Sequence, residues 1–264
     1  MGSQAIQGQL WDKGSDDWAA IQEQTGNAGY QFALRFLNLN SSDNVLDIGC
    51  GSGLFSKLAR ATGATVSGID ASSKLIERSR IRNPGIDLHV GDMEALPFSD
   101  HTFDVVCRFN SFQYAASVKN AFQEAKRVLK DNGKLVVMIW GNKEDCEAAT
   151  YLKAVGGLLP PPPPGAPGPF ALTEDHQLET LLKEGGFLIV ENVDINSVWD
   201  YPDLETALRG LMSAGPVARA IEHTSYEKVL ETLRAAVLPY LKPNGRVVYK
   251  NKVRVVVATI ENSL

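Results

Sequence analysis

From Asn44 the chain alternates between two patterns. Five runs rich in apolar and β-branched residues, NVLDIG (44–49), TVSGID (65–70), IDLHVGD (86–92), FDVVCRF (103–109) and GKLVVMIW (133–140), are separated by stretches with helical spacing at about Leu54–Ala61, Ser73–Arg82 and Val118–Lys130. Runs that are apolar almost throughout predict strands buried on both faces, and their alternation with helices predicts a parallel sheet of βαβ units. Asp131-Asn132-Gly133 predicts a left-handed cap on the last of these helices. Before the first strand, Gln4–Leu39 reads as helical. Beyond Gly141 the alternation breaks. A short helix near Glu144–Gly156 leads into LLPPPPPGAPGPF, which holds seven of the 13 prolines. Five consecutive prolines predict a polyproline II segment that serves as a stiff connector, with a proline-motif ligand or a lid as the other readings. Thr173 then reads as the N-cap of a helix carrying Leu178, Leu181 and Leu182, stopped by Gly185-Gly186. FLIVENVDINSVW (187–199) and VRVVVATI (253–260) predict two more strands, with a helical pattern over Leu204–Tyr240 between them. The organisation expected is an N-terminal helical lid (1–40) and an α/β domain (41–264), the latter interrupted by a proline-rich connector (141–172) and a helical insertion (200–245).

The segment richest in chemistry is VLDIGCGSG, Val45–Gly53, a strand that runs directly into a glycine loop and then a helix. Glycine suits positions where the backbone takes a positive φ or approaches a ligand closely. A loop at the carboxyl end of the first strand is where open α/β sheets bind nucleotides. Its spacing is Gly49-x-Gly51-x-Gly53, and Leu54 occupies the last glycine position of a dinucleotide fingerprint begun at Gly49. No G-x-x-x-x-G-K-[ST] phosphate loop is present. The second strand ends in Asp70, where a carboxylate can accept both hydroxyls of a ribose. The third ends in Asp92-Met93, where a carboxylate can accept from an adenine amino group and a thioether can pack on the base. The plainer alternatives are that Asp70 caps the following helix and Asp92 closes a turn. Together with the loop, the two acids point to an adenosine ligand without a pyrophosphate.

Composition narrows the class. With 26 Lys and Arg against 31 Asp and Glu, the net charge of −5 disfavours non-specific nucleic-acid binding, which needs cations to displace counterions from phosphates. Three scattered cysteines, Cys50, Cys107 and Cys146, make neither a disulfide framework nor a zinc site, and suggest a reducing, cytoplasmic setting. The longest apolar run, Leu135–Trp140, is far short of the ~20 residues of a membrane span. No signal-peptide pattern is seen at the N-terminus.

VLDIGCGSG, followed by GID at 68–70, GDMEALPF at 91–98 and FDVV at 103–106, resembles the class I S-adenosylmethionine-dependent methyltransferases, and among them the small-molecule group of the ubiquinone and menaquinone methyltransferases. The resemblance is specific over about 44–140 and weak beyond. It implies a Rossmann-like seven-stranded sheet of order 3-2-1-4-5-7-6 with the last strand antiparallel and helices on both faces. It also implies S-adenosylmethionine as cofactor, with S-adenosylhomocysteine as product. The implied contacts are Asp47, Gly49, Cys50, Gly51 and Gly53 under the methionine part, Asp70 with Ala71 at the ribose, Asp92 and Met93 at the adenine, and backbone at Arg108–Phe109 at the methionine amino group.

Methyl transfer from a sulfonium needs alignment, exclusion of water and, for some acceptors, removal of a proton; the activated methyl makes a metal unnecessary. Trp11, Trp18 and Tyr30 are the expected lid contacts, or else pack the N-terminal helices on the sheet. Asn110, Phe112, Gln113 and Tyr114, just past the fourth strand, are the expected acceptor wall. His176 and His223 are the candidate bases, and an acceptor that needs none is the alternative. His89 reads as a packed strand residue and His101 as solvated. The Lys126-Arg127-x-x-Lys130 run reads as a solvated helix end. The expected partner is an uncharged or modestly polar small molecule. The rival readings are a protein that binds the same cofactor without transferring methyl, and a nicotinamide oxidoreductase, which Leu54 and Asp92 disfavour.

Overall fold

The computed structural model describes residues 2–160 and 168–260. The polyproline II expectation falls largely on residues 161–167, outside those described. Helices α1 (Gln4–Asp12) and α2 (Ser15–Asp17), a π-turn and 3-10 turn spanning 18–26, and α3 (Asn27–Leu37) precede the sheet. The alternating part then runs β1 (Asn44–Ile48), α4 (Leu54–Arg60), β2 (Thr65–Asp70), α5 (Ser73–Arg82), β3 (Asp87–Val90), β4 (Phe103–Phe109), α6 (Val118–Val128) and β5 (Leu129–Trp140). After it come α7 (Ala149–Gly156), α8 (Gln177–Glu184), β6 (Phe187–Tyr201), α9 (Leu204–Met212), α10 (Gly215–His223), α11 (Tyr226–Val237) and β7 (Val247–Ile260).

The sheet order is β3-β2-β1-β4-β5-β7-β6, as expected. The first five strands pair in parallel, and β7 pairs antiparallel with both neighbours. Order reverses between β1 and β4, so the carboxyl ends of these two strands open a crevice that receives the glycine loop on one side and residues after Phe109 on the other. Both faces of the sheet are covered. Leu46, Ile48, Val106 and Val137 pack with Phe122 of α6 and Leu178 of α8. Val45, Val105, Val136 and Met138 pack with Ala33 of α3 and Phe55 of α4.

Three local expectations are corrected. No left-handed cap forms at Asn132 or Gly133: Leu129 is already extended, and β5 begins there. Thr173 does not cap α8. Its hydroxyl donates to the Trp140 carbonyl at 2.5 Å, and α8 starts at Gln177 after Asp175 and His176, both at positive φ. The Lys126–Lys130 run is not merely solvated. Lys126 donates to the carbonyls of Gly185 and Gly186, Arg127 to those of Leu96 and Phe98, and Lys130 pairs with Asp104, which ties α6 to its surrounding loops.

The last two strands are longer than their apolar runs. They pair from Phe187↔Ile260 to Tyr201↔Val247, whereas β5 contacts β7 only as far as Trp140↔Val253. The remainder is a two-stranded ribbon projecting past the carboxyl end of the parallel strands. It carries a separate core in which Trp199, Tyr201 and Tyr249 pack with Tyr151 of α7, Leu211 of α9 and Leu233 of α11. The N-terminal segment lies against α5: Asp12 accepts from Ser72 and from the Lys74 amide, and Asp16 pairs with Arg78. Among the described residues no helix is long and apolar enough to cross a membrane.

Candidate active site

A cavity of about 400 Å³ opens at the switch point and extends under the ribbon. Gly49, Gly51 and Gly53 all have positive φ (+72°, +55°, +79°), so the loop winds in a conformation few other residues adopt. The three glycines have different tasks. A Cβ on Gly49 would lie 2.6 Å from Ser111 Cβ, so Gly49 lets the β4 loop approach. A Cβ on Gly51 would lie 2.9 Å from Glu23 Oε1 and 3.3 Å from Trp18 Nε1, on the cavity wall. A Cβ on Gly53 would lie 2.2 Å from Ser79 Oγ and 2.4 Å from Asn83 Nδ2, where α4 and α5 pack, away from the cavity.

Asp70 stands on the cavity wall. Its carboxylate accepts the Gly51 and Ser72 amides, both at 2.9 Å, and so fixes the loop while retaining further acceptor capacity. Burial pushes its pKa up to about 6 against the pull of those two hydrogen bonds. Asp47 lies behind the loop, off the cavity wall, and accepts the Ser56 hydroxyl at 2.7 Å. Burial, with Glu23 and Asp70 adding negative charge, raises it to about 7. Asp92 and Met93 reach the wall from the end of β3, next to Gly91, and Ala71 follows Asp70 there. Cys50 turns away into a small cluster with Ile76 and Leu88. Phe109 lines the cavity, whereas Arg108 is fully buried beneath it, its guanidinium 3.6 Å from the centroid of the Phe112 ring.

On the opposite side, Trp11, Trp18 and Tyr30 all line the cavity, and Trp11 stands edge-on to both Trp18 and Tyr114. Asn110, Gln113 and Tyr114 join them; Asn110 sits at φ +49° and receives the Gln113 side-chain amide on its carbonyl. Phe112 is corrected: it is buried against Phe122 on the far side of the loop. His176 and His223 are also corrected. Neither lines the cavity; His176 is exposed beside a separate polar depression near Arg254, and His223 is exposed at the end of α10. His89 lies off the cavity, next to Asp87 and edge-on to Phe98.

Sequence reading missed two groups of residues. Glu23 is buried, accepts the Ser52 amide at 2.8 Å and the Ser52 hydroxyl, and pairs with Arg82, so the N-terminal segment is fastened to the glycine loop itself. Trp140, Tyr151 and Trp199 complete an aromatic chamber above the crevice, with Trp140 and Trp199 centroids 5.4 Å apart. The segment 2–23 passes over the expected adenosine contacts: a Cβ on Gly2 would overlap the Asp92 carboxylate, and one on Gly8 would lie 2.5 Å from the Ala71 carbonyl.

Residues 46–137 match the family model described as a methyltransferase domain (Methyltransf_11). A malonyl-[acyl-carrier protein] O-methyltransferase of Erwinia pyrifoliae is 30% identical over 198 residues, 75% of this chain and 70% of that protein. A demethylmenaquinone methyltransferase of Tropheryma whipplei is 31% identical over 133 residues, 48% of this chain and 54% of that protein. Among solved structures the [4+2]-cyclase SpnF shares the fold with a TM-score of 0.57 at 20% identity, over 89% of this chain and 80% of that one. The chain belongs to the S-adenosylmethionine-dependent methyltransferase family. The cofactor is S-adenosylmethionine and the chemistry is methyl transfer.

The wall suits that cofactor. Gly51 presents bare backbone where a Cβ would meet its neighbours, and two strand-end carboxylates, Asp70 and Asp92, face the same space.

Proposed function

We propose that the protein methylates a small, largely apolar acceptor at O, N or C, without a metal ion, in the cytoplasm. The observation that carries this reading is the continuity of one cavity, from the glycine loop and strand-end acids to a chamber of Trp11, Trp140, Tyr151 and Trp199. In this reading Gly49 and Gly51 cradle the methionine part, Asp70 and Ala71 hold the ribose, and Asp92 with Met93 reads the adenine. Backbone at Phe109 meets the amino group. Asp47, Cys50, Gly53 and Arg108 act from behind, by holding the loop and the end of β4 in shape.

When bound, S-adenosylmethionine supplies a methyl group activated by its sulfonium, delivered in line to an acceptor lone pair while the carbon–sulfur pair returns to sulfur. The chain's own task is orientation and exclusion of water. Trp18 and Glu23 close over the loop, and Trp11 with Tyr114 sets one wall of the acceptor chamber. Residues 1–40 act as the lid, and the ribbon with α9–α11 is the acceptor cap. No histidine is assigned a proton-transfer role, because none reaches the cavity. The two relatives are named for malonyl-[acyl-carrier protein] and demethylmenaquinone, and on that ground carboxylates and quinols are the first classes to test.

A second reading is a protein that uses the bound cofactor without transferring its methyl group. SpnF, a cyclase at 20% identity, shares the fold alone. S-adenosylhomocysteine release across phenols, quinols, amines and carboxylates separates the two. Turnover with one class supports transfer, whereas tight cofactor binding with no release across the panel favours the second reading.

A further inference from the structure

The charged side chains on the cavity wall have unequal company. Glu23 is held by Arg82 and Ser52. Asp70 accepts two backbone amides, and Asp92 accepts the Glu94 amide at 2.9 Å. Arg219, on α10, is the one cation among the described lining residues, and it is exposed at the rim. Among the described residues it has neither an ion-pair nor a hydrogen-bond partner. Its neighbour one helical turn on, Glu222, is taken by Lys13, and Arg209 of α9 is taken by Asp17.

Arg219 also stands in the acceptor part of the cavity. Pro216 and Val217 of the same helix line it, and a Cβ on Gly215 would lie 2.7 Å from Trp11 Nε1. Helix α10 packs on α7, α9 and α11 on the ribbon side, and on α1, which also covers the glycine-loop side. A guanidinium at the mouth of an apolar chamber can bind a planar anion through paired hydrogen bonds. We propose that Arg219 is a specificity-determining residue that anchors an anionic group of the acceptor, a carboxylate or phosphate, at the rim while an apolar body fills the aromatic chamber. This rests on the methyltransferase reading above, and it revises the expectation of an uncharged acceptor.

The test uses the full chain saturated with S-adenosylhomocysteine, and two probes of one shape, naphthalene-2-carboxylate and naphthalene-2-carboxamide. Binding is read from quenching of the cavity tryptophans. The wild-type complex is expected to prefer the carboxylate by about tenfold at low salt, with the preference shrinking as salt screens the pair. Arg219→Gln should erase the preference and Arg219→Lys should keep part of it. Arg219→Glu should reverse it toward naphthalen-2-ylmethylammonium, a gain that a structural role for Arg219 would not produce. Calorimetric affinity for S-adenosylhomocysteine should stay within about twofold in all three variants. A wild-type complex with no carboxylate preference overturns the proposal, as does a preference that survives Arg219→Gln. A fall in S-adenosylhomocysteine affinity on Arg219→Gln also overturns it, because the anion held would then be the cofactor's own carboxylate. Failure of the wild type to bind S-adenosylhomocysteine at all would instead remove the methyltransferase reading itself.

Discussion

One side of the cavity is walled by backbone and strand-end carboxylates, the other by aromatic rings. On the first side, Gly49 and Gly51 expose bare peptide, and Asp70 holds the Gly51 amide. These features sit within 30 residues of one another on consecutive βα turns, and the parallel sheet fixes their spacing. On the second side, Trp11, the Trp140–Tyr151 stretch and Trp199 come from three separate parts of the chain and converge where the β6–β7 ribbon overhangs the sheet. The first arrangement suits a ligand that never changes. The second is built by ribbon and inserted helices around a core of their own, which meets the parallel strands through Trp140 at the end of β5.

The sharpest way to break this division is at Gly51. Gly51→Val puts a branched side chain at φ +55° and into Glu23 and Trp18. The strain costs about 1–3 kcal/mol of stability, and S-adenosylhomocysteine affinity should fall beyond calorimetric detection. Binding retained within tenfold would mean that the loop is not the cradle. Trp199→Ala probes the other side. Trp199 is buried against Trp140, Tyr151 and Tyr249, and its truncation should cost about 3–5 kcal/mol in denaturant unfolding. Cofactor affinity should nevertheless stay within about threefold. A joint collapse would show that the halves are one cooperative unit. Asp70→Ala is expected to weaken S-adenosylhomocysteine binding by about 1.5–3 kcal/mol, through lost ribose contacts and a freed Gly51 amide. Unchanged affinity in a calorimetric titration would move the ribose elsewhere.

The same contrast governs what could be read in advance. Strand positions and the glycine loop were legible because they are local: continuous apolar runs mark buried strands, and glycine at fixed spacing marks positive φ; the sheet order came only through the family resemblance that the loop and the strand ends carry. Ribbon length was not, because Val198, Asp200 and Lys250 are polar or exposed, and their strand pairing is set by the partner strand. Phe112 was placed on the acceptor wall by its neighbours in sequence, but in the 3-10 turn at Phe112–Tyr114 it points into the core while Gln113 and Tyr114 face the cavity. Glu23 lacked any local signal, since Ser52 and Arg82 lie 29 and 59 residues away. The histidines were chosen by residue type within the expected acceptor region, and position within that region is a tertiary property.

The smallest expected effect is a pH dependence confined to the carboxylate side. Burial raises Asp70 to about 6 and Asp47 to about 7, so in the free folded protein both hold protons at pH values where the unfolded chain, near 3.8, has released them. Folded protein therefore binds more protons than unfolded protein between about pH 4 and 7, and this contribution to stability is full below pH 3.8 and lost as pH rises through 6–7. A cation bound beside these acids favours their charged forms and pulls both values down. Affinity for S-adenosylmethionine should accordingly rise from pH 5 to pH 8. S-adenosylhomocysteine lacks the sulfonium charge and should show a flatter profile, the ratio of the two affinities growing by about threefold to tenfold, equivalent to a pKa change of half to one unit. Asp47→Asn should remove part of the growth in the ratio while its amide oxygen still accepts from Ser56. A ratio independent of pH in calorimetric titrations would show that the acids beside the glycine loop do not feel the sulfonium, and that this side of the cavity recognises shape alone.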